Sequence, residues 1–537
     1  MKTIGAPKQA AAMNTSSKKK LTRPSKKIRR GVEAPQIKFS DDESLPVVAV
    51  SRQISNPILP NVILRVIPEQ DAVPASDSKP NFGVVIELRA PPLSHPVARA
   101  PIDLVMVLDV SSSMFGPKLD LVKRAAGFVV DNLGPSDRLS LVSFSSSAQR
   151  VLPLHRMTAA GRAKAKRAVN FLSACGSTNI VDGLTMGLRV LEERRHRNPV
   201  ASIMFLSDGQ NTCRPNTCHP NMIPIVGQQP YLYLLPPSIH LEMEKKPPNI
   251  PIHTFGFGYD HNPLVMHAIA SQSGGTFSFI ESYEMVQDAF ASCIGGLLSV
   301  VVRDLRLTLR SASSGVRINS IHSGSYQSEV SGLCGSITVG DLYADEEKDF
   351  LIDISVPVCW EDDRRTPLLD VTCSYKDVAS NERVEMESAE IRRPVLLLPC
   401  DVKVKIEVDR QKNRLQAAEG LAEAQRAAEK GNFKGARAIL SSARSCVSGS
   451  AAGQAGDRLA LQLAAEMRET EEKMGCKRTY EQAGRAYALS SMSAHANQRA
   501  SIRRRTSGDA YVTPNMANMV SKCHQIIKIE GVKKEKK

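Results

Sequence analysis

The stretch IDLVMVLDVSSS, residues 102–113, decides how the rest of this chain is read. Its first half is a nearly unbroken apolar run, the pattern of a strand covered on both faces. The run ends in Asp109, and hydroxyls follow at the second and fourth positions after it, Ser111 and Ser113. An aspartate at the carboxyl end of a parallel strand, with two hydroxyls on the turn behind it, puts three oxygen ligands in the crevice where open α/β sheets bind their ligands.

Outward from this stretch the same rhythm repeats. Further short apolar runs stand at 139–144, 202–207, 252–258 and 276–280, with helical patterns between them. Leu119, Val122, Ala126, Val129 and Leu133 keep helical spacing, with Pro117 near the start and Gly134 past the end; Leu184, Leu188 and Leu191 do the same after Asn179. The alternation predicts an α/β unit over 99–300, with a Rossmann-like, doubly wound and mostly parallel sheet.

After Val300 the period becomes two, in Leu305, Leu307 and Leu309, in Phe350, Ile352, Ile354 and Val356, and in Leu369, Val371, Cys373 and Tyr375. That predicts a β-sandwich over 301–408, closed by a last strand through Val402, Val404, Ile406 and Val408. Two strand-like segments within 59–98, at 62–67 and 84–89, complete the sandwich, so the α/β unit sits inserted in it or beside it. Residues 409–500 read as a C-terminal helical region broken at Gly431-Asn432.

Two more features stand where a metal cup needs them. Gly176-Ser177-Thr178-Asn179 precedes a helix and offers Thr178 from a second loop, and the run ending in Ser207-Asp208-Gly209 offers Asp208 from a third. Carboxylates with hydroxyls and water suit Mg2+ or Mn2+, and the absence of ordered thiolates or imidazoles argues against zinc. The bland alternative is that Asp109 caps the next helix while Ser111 and Ser113 satisfy loop amides. Asp208 is followed by the loop from Gln210 to Asn249, in which eight residues are proline; it leaves the metal-bearing face and is a candidate partner-binding element. Its Cys213, Cys218 and His219 lack the second ligand pair of a zinc site, which favours a surface loop.

In this order the five residues resemble the von Willebrand factor A domain, whose metal-ion-dependent adhesion site uses Asp-x-Ser-x-Ser, a threonine and an aspartate. Asp109, Ser111, Ser113, Thr178 and Asp208 match every position. The resemblance implies that the hydroxyls coordinate the cation directly, the aspartates directly or through water, and that an acidic side chain of a protein partner takes the remaining position. The segments 137–144, 255–261, 274–281, 325–328, 340–347, 407–411 and 484–487 are similar to the plant von Willebrand A proteins of the wavy-growth ubiquitin ligase group, a similarity running from about Pro35 to Met516. Full-length members of that group carry an amino-terminal RING finger. Residues 1–100 here hold no cysteine, so the expectation is a chain without that module, with no catalytic residue of its own, which binds substrates or pairs with RING-bearing relatives as an adaptor.

Charge excludes a nucleic-acid-binding body. Of the net +15, residues 1–30 contribute ten Lys/Arg without a carboxylate, and residues 521–537 contribute six Lys against two Glu, so the body between is nearly neutral. Any attraction to polyanions lies in a basic leader at 1–58, in which Asp41, Asp42 and Glu43 form an acidic patch, and a basic tail at 501–537, both expected to be solvated. The leader's two basic clusters also fit a nuclear address, and its lack of acids a transit peptide. Eleven cysteines without C-x-x-C spacing and the lack of an apolar signal fit an intracellular protein. The most apolar stretch, 290–302, is interrupted by Ser292, Gly295, Gly296 and Ser299 and is too short to cross a bilayer.

Overall fold

The computed structural model describes residues 38–45, 61–93, 99–210, 250–359, 365–378, 381–501 and 510–535. The decisive apolar run is strand β3 (Ile102–Asp109), buried at every residue. It lies inside a six-stranded sheet of order β5-β4-β3-β6-β7-β8. Strands β4 (Arg138–Phe144), β6 (Val200–Ser207), β7 (Ile252–Phe257) and β8 (Phe277–Ile280) run parallel to it, and β5 (Ala148–Arg156) returns antiparallel to β4 as one edge.

The pleat of β3 shows why its sequence is apolar throughout. Leu104, Met106 and Leu108 pack with α1 (Pro117–Asn132), α2 (Ala159–Asn170) and α5 (Val286–Leu297), whereas Val105 and Val107 pack with α3 (Ile180–Glu192) and α4 (Pro263–Ser273). Each buried side chain of this size contributes about 1.5–3 kcal/mol, so one polar substitution on either face is costly.

The period-two segments form a sandwich of two sheets. One has the order β1 (Ile63–Pro68), β2 (Lys79–Arg89), β13 (Glu347–Val356), β10 (Arg317–His322). The other has the order β11 (Gln327–Val330), β12 (Cys334–Tyr343), β9 (Val300–Ser311), β14 (Arg365–Lys376), β15 (Glu382–Arg392). Val84, Ile86, Leu307, Leu309, Phe350, Ile352 and Val371 share its core. Because β2 pairs with β13 along its length, the chain leaves the sandwich after β2, builds the α/β unit and returns at β9.

Two expectations are corrected. Val402 to Val408 form no strand: α6 (Ile406–Glu429) begins there, with Glu407 and Asp409 favourably placed in its first turn. Val408 is buried against Ile67, Val85 and Leu351, so its apolar character serves a helix seated on the sandwich. Helices α7 (Phe433–Gly449), α8 (Arg458–Lys473) and α9 (Arg485–Asn497) come next. Within the expected solvated tail, α10 (Pro514–Glu535) buries Met516 and Cys523 against α5. A side chain at Gly295 would meet the α10 backbone at 2.9 Å, so the glycines that interrupt the apolar stretch are where the two helices cross. Among the described residues no helix is long and apolar enough to cross a membrane.

Candidate functional site

Three loops meet where β3 and β6 end. The first leaves β3 with Val110 N donating to Phe144 O at 2.8 Å, then turns through Ser111–Ser113. The second is tied to it by two backbone bonds, Ser112 N to Gly176 O at 3.0 Å and Cys175 N to Val110 O at 2.8 Å. Gly176 has φ +78°, and a Cβ there would stand 2.7 Å from Ser146 Oγ, so only glycine fits this turn. Asn179 then caps α3 by accepting from Asp182 N. The third loop leaves β6 with Asp208 and Gly209. A Cβ on Gly209 would lie 3.0 Å from Thr178 Oγ1 and 3.7 Å from Ser113 Oγ, which places the three loops in contact.

Asp109, Ser111, Ser113, Thr178 and Asp208 are thus brought into one crevice. Asp109 and Asp208 are fully buried, Ser111 and Thr178 are buried, and Ser113 stands at the exposed mouth. Asp109 accepts from Ser111 N at 2.8 Å through one oxygen and from Ser207 Oγ at 2.6 Å through the other. Ser111 Oγ lies 2.9 Å from Ser113 Oγ, which donates to Asp208 Oδ1 at 2.7 Å. Burial pushes the Asp109 carboxyl above its ordinary range and the nearby Asp208 adds to this, while hydrogen bonds from Ser111 and Ser207 oppose it.

The bland alternative accounts for one contact, the Asp109 bond to the Ser111 amide. It does not account for the helix: α1 has Gly116 at its N-cap and no side-chain cap. The donor set of two carboxylates and three hydroxyls from separate loops fits a small hard cation. Among the described residues no group of three His, Cys, Asp or Glu side chains is arranged for a metal, so hydroxyls must supply most of any coordination here.

Several residues escaped the sequence reading. Lys118, at the start of α1, donates to Asp208 Oδ2 at 2.7 Å and half-neutralises the crevice. Ser207 orients the far oxygen of Asp109. Phe115, Phe171 and Tyr259 are 80%, 83% and 53% exposed, on or beside the loops of this same sheet end. Aromatic residues flanking a ligand motif were the available signal. Of the loop from Gln210 to Asn249, only Gln210 is among the described residues; Cys213, Cys218 and His219 lie outside them.

Residues 103–292 match the von Willebrand factor type A domain, and residues 457–525 match a family described as VWA / Hh protein intein-like, covering α8, α9 and the first part of α10. E3 ubiquitin-protein ligase WAV3 of Arabidopsis thaliana is 34% identical over 400 residues, 72% of this chain and 49% of the relative. E3 ubiquitin-protein ligase WAVH1 of the same plant is 31% identical, over 72% of this chain and 51% of the relative. The chain therefore spans about half the length of the curated relatives it matches. The solved structure of a von Willebrand factor type A protein from Catenulispora acidiphila superposes with a TM-score of 0.57 at 19% identity, covering 79% of this chain and 91% of that one, a likeness of fold.

Proposed function

We propose, on the premise that this is a von Willebrand factor type A domain protein homologous to the WAV3 group of plant ubiquitin ligases, that it is a non-catalytic protein-binding module whose crevice takes a divalent cation and captures an acidic side chain of a partner. The observation that carries this reading is the convergence of Asp109, Ser111, Ser113, Thr178 and Asp208 from three loops. A bound Mg2+ or Mn2+ would supply positive charge for a carboxylate. Ser111, Ser113 and Thr178 would hold it directly, and Asp109 and Asp208 directly or through water. With two carboxylates at most, the site keeps positive character toward an anion. Ser207 fixes the orientation of Asp109 from behind. The exposed Phe115, Phe171 and Tyr259 offer the rigid apolar anchors that protein interfaces favour.

Calorimetry of the full chain is expected to show uptake of about one Mn2+, and Asp109→Ala to abolish it while secondary structure by circular dichroism is retained. Capture of partners from plant extract is expected to fall on chelation and with the same variant. A wild-type chain that takes up neither Mg2+ nor Mn2+ refutes the reading. Lys118→Met is expected to strengthen Mn2+ uptake by about tenfold, roughly 1.4 kcal/mol, because the ammonium 2.7 Å from Asp208 competes for the same carboxylate.

A second reading is favoured by the similarity to proteins named E3 ubiquitin ligases: an adaptor or subunit in protein ubiquitination that pairs with RING-bearing relatives. Conjugate formation in vitro by a RING-bearing relative should then rise when this chain is added, and should be unchanged under the simple binding-module reading.

A further inference from the structure

An edge strand presents backbone N–H and C=O groups that have no strand partner. On β5 they are met by residues 39–43, Phe-Ser-Asp-Asp-Glu, which come from far upstream. Glu43 N donates to Leu154 O at 2.8 Å. Asp42 Oδ1 accepts from Leu154 N at 3.1 Å, and Glu43 Oε2 accepts from Arg156 N at 3.0 Å, so two carboxylates stand in for the carbonyls of a neighbouring strand.

Basic groups line the same edge. Arg150 pairs with Asp42 at 3.0 Å and also with Asp41. His155 Nδ1 lies 3.2 Å from Glu43 Oε2. Arg138, fixed in the core by Asp103, donates to Glu43 O at 2.9 Å. The Phe39 ring lies under two guanidiniums, Arg150 at 3.7 Å and Arg189 at 4.8 Å from its centroid, and Phe39 N donates to Glu193 at 3.0 Å.

These are the contacts by which proteins read an extended peptide: main-chain bonds along a sheet edge, with side-chain sites setting the sequence. The segment's apolar contribution is the half-buried Phe39 at the margin of the core, and its Asp41 side chain is 58% exposed. A ligand carried on the same chain meets its site intramolecularly, which raises its effective concentration there. Even a weak ligand so tethered stays seated, and a tighter one from outside replaces it.

We infer that the β5 edge is a peptide-docking groove. Its ligand is an extended segment of a partner protein with an aromatic residue followed two, three and four positions later by acids, and residues 39–43 are the occupant that such a segment displaces. Charge complementarity with Arg150 and the hydrogen bond at His155 Nδ1 select the acids, and the two guanidiniums over Phe39 select the aromatic residue. The groove is separate from the oxygen crevice and needs no cation.

The test uses the full chain with chelator present and a fluorescein-labelled peptide, KFSDDESL. Anisotropy should show at least tenfold tighter binding to the Phe39→Ala/Asp42→Ala chain than to wild type, because the internal competitor is weakened. Adding Arg150→Glu to that chain should weaken peptide binding at least tenfold, as should replacing the peptide's Phe by Ala. Equal binding to wild type and the double variant, absence of binding to a folded double variant, or indifference to Arg150 each overturn the inference. If the double variant fails to fold, a specific protease site placed between 46 and 60 and cut after folding takes its place. Unlabelled peptide should then raise the fraction of cut segment found free at equilibrium as its concentration rises, and a fraction that no peptide concentration changes would equally sink the proposal.

Discussion

The two edges of the six-stranded sheet pose one physical problem and meet it in opposite ways. At β8, the unpaired groups face α9: Phe277 N donates to Ser493 Oγ at 2.9 Å, Ser490 Oγ donates to Phe277 O at 3.2 Å, and Phe279 N reaches Ser490 Oγ at 3.4 Å. Both serines are buried, and Ala486, Tyr487 and Leu489 of the same helix join the core beneath. At β5, the groups face carboxylates on a short, half-exposed segment. Neutral hydroxyls on a helix that is also packed give an edge whose cover is part of the fold; charged groups on a tethered segment give a cover held by salt-sensitive contacts.

The β8 cover is locked further by charges at and just beyond the end of α9. Arg499 donates to Glu346 through Nε at 2.7 Å, and Lys348 Nζ stands 2.8 Å from the same carboxylate while donating to Asn497 O at 2.6 Å. All three charges are buried. Glu346→Gln leaves two buried cations short of a partner and is expected to destabilise the chain by about 3–5 kcal/mol, measured by urea unfolding followed at α-helical wavelengths. Burial alone would raise the Glu346 carboxyl, but Arg499 and Lys348 hold it at about 2, below its ordinary 4.5. Its stabilising contribution is complete above pH 4.5 and is lost as pH falls toward 2, so the variant should lack that part of the acid-induced loss of stability. A smaller effect is expected from Ser493→Ala, which strands the buried Phe277 N–H: about 1–3 kcal/mol.

The residues of the crevice were legible because their chemistry is local. Each of Asp109, Thr178 and Asp208 stands at or beside the end of an apolar strand or the start of a capped helix, so type and spacing fix where each is placed. Lys118 was not legible, since a lysine on the first turn of a helix looks like any solvated base. The strand expected through Val402–Val408 failed because alternation over so few residues fits either period; the partner that decides it, the Ile67–Val85–Leu351 surface, is distant in sequence. In the tail, basic composition hid Met516, Met519, Val520 and Cys523, whose spacing is helical and of which Met516 and Met519 sit against the pair of glycines on α5. The acidic patch at 41–43 read as part of a solvated leader for the same reason: Arg150 and His155 lie more than a hundred residues away.

The smallest effect separates the two covers most sharply. Asp42→Asn removes the pair with Arg150, whose side chain like that of Asp42 is only 11% exposed, and weakens the carboxylate bond to Leu154 N. Global stability should change by no more than about 1 kcal/mol, because the segment contributes little to any core and comes away from the edge by a local opening that leaves the sheet folded, so the loss of the pair is felt in that opening. Native-state hydrogen exchange should nonetheless speed at the Leu154 and Arg156 amides, and roughly 0.5 M NaCl should produce much of the same loss of protection in wild type. The amides of Phe277 and Phe279 should respond to neither. Equal sensitivity of both edges to salt would mean that the β5 cover, like α9, is an integral part of the sheet, and the distinction between a structural and an exchangeable edge would fall with it.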